Sequence, residues 1–374
     1  MNNIAKNNVN IPRYPPEFKQ IITVKNRNFV GREFVFTAIN SFLDQYDRGY
    51  FTIIGEPGIG KSAIIAHYVS LNPEVVYYNV EIAVKSRQSR EIDDPPQPPF
   101  LRGEYEDTPE DRGEYEDFLT TICDQLIEIA QNQGSKIITS DATTEGGGFL
   151  SLLLQQISDR LQPEERLIIT IDGCDRIDIN NQPRGSNLLY LPRYLPGKVY
   201  FILTRRPFLP DKSGLLIETP SQSLDLSAYP EQNRADVQEY IKNYHLLHPS
   251  EMGLKINEDE TNFMYVSEIL KAMNQDIYPQ SLQIYYQNHL DKMNLTTTNQ
   301  QTMAEKVLNI LLQEQLISIE TIAERLDEDE YEIKVILGKW REFLHLESIA
   351  AEVKYSLYHP SFRDWLQQKM AANI

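Results

Sequence analysis

The chain has 374 residues, 41% of them hydrophobic, which is enough for about two or three domains with cores of their own. Its 36 Lys and Arg against 54 Asp and Glu give a formal charge of −18. Such a surface repels nucleic acid and anionic membrane unless one patch is locally basic, and no Lys/Arg-rich run is present. Two cysteines, Cys123 and Cys174, exclude a disulfide framework or a cysteine-rich metal site and fit a reducing, cytoplasmic setting. No apolar run approaches the roughly 20 residues of a membrane span. The first residues, Met1–Asn8, lack the apolar core of a signal peptide.

In chain order, residues 1–26 read as a disordered, Asn- and Pro-rich leader. Asn28-Phe29-Val30-Gly31-Arg32-Glu33 then leads into Phe34, Ala38, Ile39, Phe42, Leu43 and Tyr46, whose spacing predicts one helix face. The β-prone run Tyr50–Ile54 follows, and after it Gly55-Glu56-Pro57-Gly58-Ile59-Gly60-Lys61-Ser62 with the spacing G-x-x-x-x-G-K-S. Ala63 opens a run with helical periodicity. Strand, glycine-rich loop and helix are the context of a phosphate-binding loop. Glycines let the loop N–H groups turn inward, the helix N-terminus adds partial positive charge, Lys61 reaches the β- and γ-phosphates, and the Ser62 hydroxyl binds Mg²⁺. Gly55, Pro57, Gly58, Ile59, Gly60, Lys61, Ser62 and Ala63 are therefore candidate nucleotide contacts.

Glu74–Val80 predicts a second strand. Residues 86–117 break the pattern with prolines and an excess of acidic residues, and read as a flexible acidic insertion. A helix is expected through Leu119, Ile122, Cys123, Leu126 and Ala130. Gly146-Gly147-Gly148 marks a loop, and a further helix runs through Phe149, Leu152, Leu153 and Ile157. Leu167–Asp172 is a near-continuous apolar run ending in a carboxylate, as expected of a buried parallel strand carrying Asp172 to its C-terminal edge, where it partners the Ser62-bound Mg²⁺. Asp175 either polarises the attacking water or caps the next segment. Lys198–Thr204 is a second buried strand. It ends in Arg205 and Arg206, where an arginine can contact a γ-phosphate. Leu215–Glu218 and Ser223–Leu226 read as short final strands. The expected fold is α/β, a mostly parallel sheet with helices on both faces over residues 27–228.

Beyond Pro230 the β signal fades. Val237, Tyr240, Ile241 and Tyr244, then Phe263, Val266, Ile269, Leu270 and Met273, then Leu282, Tyr285, Tyr286 and His289 predict three helices, a helical domain over 229–298. Residues 299–374 read as a winged-helix domain: helices through Val307–Leu312, Ser318–Leu326 and Tyr331–Phe343, then a hairpin of Leu346–Ile349 with Lys354–Tyr358. Its third helix carries Glu330 and Glu332, against a basic recognition helix.

The ordered set Phe29-Val30-Gly31-Arg32-Glu33, Gly55–Ser62, Ile171–Asp175, Phe201–Pro207, Leu224–Ser227, Asn262–Tyr265 and Tyr358-His359-Pro360-Ser361-Phe362-Arg363-Asp364 resembles the STAND class of P-loop signalling ATPases, and within it the NACHT-like modules of bacterial WD40-repeat proteins. The resemblance spans residues 27–366. It implies that Val30 and Arg32 lie against adenine and that Asp172 is the Mg²⁺-side carboxylate. It also implies that Arg206 senses the γ-phosphate and that His359 touches the β-phosphate of ADP and locks a closed state. ATP or ADP with Mg²⁺ is the implied cofactor, and protein partners or self-assembly are expected. Two departures stand out. Arg176 occupies a position where relatives carry a carboxylate, which points to slow hydrolysis. Thr204-Arg205-Arg206 replaces Thr-Ser-Arg. The repeats and effector domain usual in such proteins are not expected within this chain. The rival expectations are a truncated nucleotide-binding remnant without turnover and a nucleotide-regulated DNA-binding protein.

Overall fold

The computed structural model describes residues 14–83, 113–132, 147–177, 187–208, 214–248, 256, 258–272, 280–293, 298–314, 316–349 and 352–371. They divide into two compact units. The first comprises residues 1–54, 61–205 and 214–232. The second comprises 55–60, 206–213 and 233–374.

The first unit is organised by five parallel strands: β1 (Gly49–Ile54), β2 (Val76–Asn79), β3 (Leu167–Asp172), β4 (Val199–Arg205) and β5 (Ser221–Asp225). Their order is β2-β3-β4-β1-β5. The central strands β1, β3 and β4 are buried along almost their whole length, which is why they read as unbroken apolar runs rather than alternating ones. Register runs Tyr50↔Phe201 and Ile169↔Phe201 through the centre, and Asn79↔Asp172 at the carboxyl edge. β4 thus separates the strand that enters the phosphate loop from the strand that ends in Asp172.

Helices α1 (Pro16–Asn26), α2 (Glu33–Gln45), α3 (Lys61–Leu71), α4 (Gly113–Asn132) and α5 (Gly147–Ser158) belong to the same unit. α2 buries Val35, Ile39, Phe42 and Leu43, with the Phe42 ring 5.5 Å from Phe51. α1 corrects the reading of 1–26 as a disordered leader over residues 16–26. Proline at its first position suits a helix start, and buried Phe18 meets Tyr77 and Tyr78 edge-on at 5.5 and 5.7 Å. Most of the acidic insertion, 86–112, lies outside the described residues. Its last part, 113–117, opens α4 rather than continuing as insertion. Gly147 and Gly148, expected in a loop, begin α5. Leu215–Glu218 is not a strand, and β5 starts and ends earlier than Ser223–Leu226, because Leu226 already begins a short 3₁₀ turn capped by Asp225.

The second unit contains most of α6 (Pro230–Leu247), then α7 (Phe263–Ala272), α8 (Gln280–Met293), α9 (Thr298–Gln313), β6 (Ile317–Ser318), α10 (Ile319–Leu326), α11 (Glu330–Lys339), β7 (Leu344–Ile349), β8 (Glu352–Leu357) and α12 (Pro360–Ala371). Val237, Val266 and Leu270 form a small core. A larger one joins Leu282, Tyr286 and Met293 of α8 to Val307, Ile322, Ile336, Trp340, Phe343 and Phe362. Trp340 Nε1 is satisfied by the Met293 carbonyl at 2.6 Å. Ser318 caps α10 and Asp329 caps α11 with their side chains. The expected hairpin is formed by β7 and β8, antiparallel from Leu344↔Leu357 to Ile349↔Glu352, and β6 pairs on the other side of β8.

Candidate functional site

The chain leaves β1 at Ile54, runs through 55–60 and enters α3 at Lys61. Gly58 and Gly60 have φ of 84° and 102°, a backbone region open to glycine and strained for other residues. Lys61 and Ser62 are thereby the first two residues of α3, where backbone N–H groups are unpaired by the helix itself and attract an anion.

Asp172 ends β3 with 2% of its surface exposed. The register sets Asn79 on one side of it, and Thr204 of the neighbouring β4 reaches it from the other. Oδ2 accepts from Asn79 Nδ2 at 2.9 Å, and Oδ1 accepts from Thr204 Oγ1 at 2.6 Å and from Ser62 Oγ at 3.2 Å. Burial raises the Asp172 carboxyl above its ordinary value, against the opposing effect of the Thr204 and Ser62 hydroxyls and the Lys61 charge. The two expected Mg²⁺-side groups, Ser62 and Asp172, are therefore adjacent. A hydroxyl and a carboxylate oxygen facing one another suit Mg²⁺, which takes few protein oxygens and completes its shell with phosphate and water. Among the described residues no cluster of three or more His, Cys, Asp or Glu forms a protein-only metal cage.

Gly173 (φ 89°) turns the chain beyond β3, its N–H donating to Thr204 Oγ1 at 2.9 Å, and Cys174–Arg176 forms a 3₁₀ turn. Burial pushes the Cys174 thiol up to about 12, so it is no thiolate nucleophile at neutral pH. Arg176 Nε lies 3.9 Å from Asp175 Oδ2, while its Nη2 donates to Glu81 at 3.1 Å. The cation at position 176 is thus drawn onto a carboxylate from the segment after β2.

Gly31 and Arg32 both adopt left-handed backbone conformations (φ 64° and 70°) immediately before α2, and Arg32 is fully buried. Phe29 stacks on His67 of α3 at 4.1 Å, which ties the Phe29–Arg32 turn to the helix that follows the phosphate loop. Val30 is half-buried there. Burial lowers the pKa of His67, against the opposing effect of the Glu33 charge.

The remaining expected residues fall in the second unit. Arg206 is buried, donates to Glu342 Oε2 at 2.7 Å and lies over the Phe343 ring at 5.6 Å. Glu56 of the loop pairs with His345 Nδ1 at 2.9 Å, a bond that raises the His345 pKa against the opposing effect of burial. His359 is buried. Its Nδ1 meets Ser361 Oγ at 2.5 Å and its Nε2 meets Glu260 Oε1 and Oε2 at 3.0 and 3.2 Å. Burial alone would raise the Glu260 carboxyl, but His359 and the N–H groups of Asn262 and Thr261 outweigh it and hold it below the usual range. Sequence reasoning missed Asn79, Thr204, Glu260 and Glu342 as partners of these groups. The first two carry a signal in principle, being polar residues at the ends of apolar strands, whereas Glu260 and Glu342 carry none.

Residues 28–202 match the family model described as the AAA ATPase domain. The chain thus carries an ATPase domain of the P-loop NTPase class. Among solved structures, a Walker-type ATPase of Pyrococcus abyssi is similar, with a TM-score of 0.56 and 11% identity, over 91% of this chain and 96% of that one. At that identity the likeness shows the fold alone. A structure of Drosophila ORC bound to DNA aligns over 95% of this chain and 99% of that one, at 12% identity, with a TM-score of only 0.30. No curated protein matches the chain.

Proposed function

We propose that this chain is a nucleotide-driven switch of the STAND type with a NACHT-like module. ADP stabilises its closed state, exchange for ATP opens it, and slow Mg²⁺-dependent hydrolysis resets it. The observation that carries the reading is the phosphate loop feeding α3, with the Ser62 hydroxyl 3.2 Å from the buried Asp172 carboxylate. Gly55, Pro57, Gly58, Ile59, Gly60, Lys61, Ser62 and Ala63 bind the phosphates, and Val30 and Arg32 hold the adenine. Ser62 and Asp172 hold Mg²⁺, which supplies charge neutralisation at the β- and γ-oxygens when nucleotide is bound. Asp172, kept in place by Asn79 and Thr204, orients that side of the site, and Asp175, 3.9 Å from Arg176 Nε, is the carboxylate assigned to the attacking water.

Residues 299–374 are assigned to a winged-helix domain, and their order of helix, strand, two helices, hairpin and helix supports this. The first turn of α11 carries Glu330 and Glu332, which disfavours DNA as its ligand. His359 is assigned to the β-phosphate of ADP, and Arg206 to the γ-phosphate. Arg206 is paired with Glu342, a bond it would have to exchange for one to a γ-phosphate. A switch requires that the two nucleotides differ in their contacts with its two states. Calorimetric titration of the intact chain with ADP and with ATP tests this. His359→Ala is expected to weaken ADP more than ATP, and equal weakening of both refutes the lock. A second reading, nucleotide holding without turnover, is favoured by Arg176 beside Asp175 at 3.9 Å. A phosphate-release assay with Lys61→Ala as control separates the two.

A further inference from the structure

Asn262 stands at the start of α7 and makes two different kinds of bond. Its Oδ1 accepts from the Tyr265 N–H at 3.1 Å, the usual work of a helix N-cap. Its Nδ2 donates to the Pro57 carbonyl at 2.9 Å, across 205 residues of chain. Two residues on, the Met264 N–H donates to the Gly58 carbonyl at 3.0 Å. Gly58 leaves the space this requires: a Cβ there would come 2.3 Å from Asn262 Oδ1. All of these groups lie in the second unit.

The consequence follows from the planarity of the peptide. In a trans peptide the C=O and the next N–H point in opposite directions. Holding the Pro57 carbonyl therefore fixes where the Gly58 N–H points. Holding the Gly58 carbonyl fixes the next peptide plane, whose Ile59 N–H folds back toward the Glu56 carbonyl at 3.4 Å. A phosphate loop works by presenting N–H groups inward, so the carbonyls on its outer side must be kept turned away. Asn262 is itself fixed, because its backbone N–H donates at 2.7 Å to Glu260 Oε1, the carboxylate that also receives His359 Nε2.

We propose that Asn262 is a positioning residue of the nucleotide site: its amide sets the peptide planes of the phosphate loop, and the Glu260–His359 pair holds Asn262 in place to do so. The inference rests on the nucleotide reading above.

The test uses Asn262→Asp and Asn262→Ser in the full chain. Both side chains cap a helix, but Asp has no N–H to donate and Ser is too short to reach Pro57. Calorimetric titration with Mg·ADP is expected to show affinity about tenfold lower in each variant, the effect of about one lost hydrogen bond. Far-UV melting is expected to fall by only about 2–4 °C in either variant, the same one hydrogen bond, because both keep the helix cap. In the nucleotide-free protein, amide exchange over 55–62 is expected to be faster in both variants than in the wild type. Wild-type affinity together with wild-type exchange overturns the inference and leaves the nucleotide reading intact. A wild-type chain that binds no nucleotide overturns that reading, and with it the role of Asn262 there. An affinity loss with amide exchange over 55–62 unchanged from the wild type shows that Asn262 does not set the loop's peptide planes and also overturns the inference.

Discussion

Replacing Thr204 by Val removes one hydroxyl at almost constant shape. That hydroxyl is buried, donates to Asp172 Oδ1 at 2.6 Å and accepts from the Gly173 N–H at 2.9 Å. A hydrogen bond to a charged group contributes about 1.5–3 kcal/mol, and the orphaned Gly173 N–H adds about 1 kcal/mol more. The expected loss is about 3 kcal/mol, which for a unit of this size lowers the melting temperature by about 6–12 °C. Thr204→Ser keeps the hydroxyl and should lose much less. The pH dependence carries its own sign. Burial places the Asp172 pKa above its unfolded value, so ionisation of Asp172 opposes folding and that penalty is relieved as pH falls through the raised pKa. The Thr204 bond offsets the penalty only while Asp172 is charged, so the gap between wild type and Thr204→Val should narrow in acid. Urea unfolding followed by circular dichroism at several pH values reads this directly. Val and wild type unfolding together, or Ser as damaging as Val, would refute the account of how Asp172 is held.

Phe18→Ala should cost about 3–5 kcal/mol, because the ring is buried against Tyr77 and Tyr78; a loss under about 1 kcal/mol in urea unfolding would mean that α1 is not part of the core. His345, raised by its bond to Glu56, contributes stability that is complete below its unfolded value and is lost as pH rises through the folded one. Since the side chain is 43% exposed, the effect is screened and stays under about 1 kcal/mol. His345→Gln should therefore be less stable than wild type near pH 6 and equal to it near pH 9, and a gap that persists in alkali contradicts the pairing. Lys61→Ala should abolish Mg-nucleotide binding in a calorimetric titration while the chain stays folded, with some loss of stability because the Lys61 charge also favours the Asp172 carboxylate; wild-type affinity in the variant contradicts the phosphate-loop assignment.

The parts of this site legible in the sequence are those written locally. Tyr50–Ile54, Leu167–Asp172 and Val199–Arg205 are continuous apolar runs because both faces of these strands are covered, and the glycine-rich loop has fixed spacing. The β7–β8 hairpin was visible as two short β-prone runs close together in the sequence. What escaped depends on topology. Asn79 and Thr204 become partners of Asp172 only once β3 is known to lie between β2 and β4. α1 was hidden by its Asn- and Pro-rich surroundings, since the Tyr77 and Tyr78 rings that hold Phe18 belong to a distant strand. Leu215–Glu218 has apolar residues but no pairing strand. Glu260 finds His359 across 99 residues, and Asn262 finds Pro57 across 205, separations that no local spacing encodes.

The central claim is that the site around Lys61, Ser62 and Asp172 holds an adenine nucleotide and that the resting state is the ADP-bound one. Acid extraction of the purified full-length chain, with chromatography of the released nucleotide, tests this most directly. The account predicts close to one ADP per chain and none from Lys61→Ala. An empty wild-type protein that also fails to take up ADP or ATP on titration would contradict it.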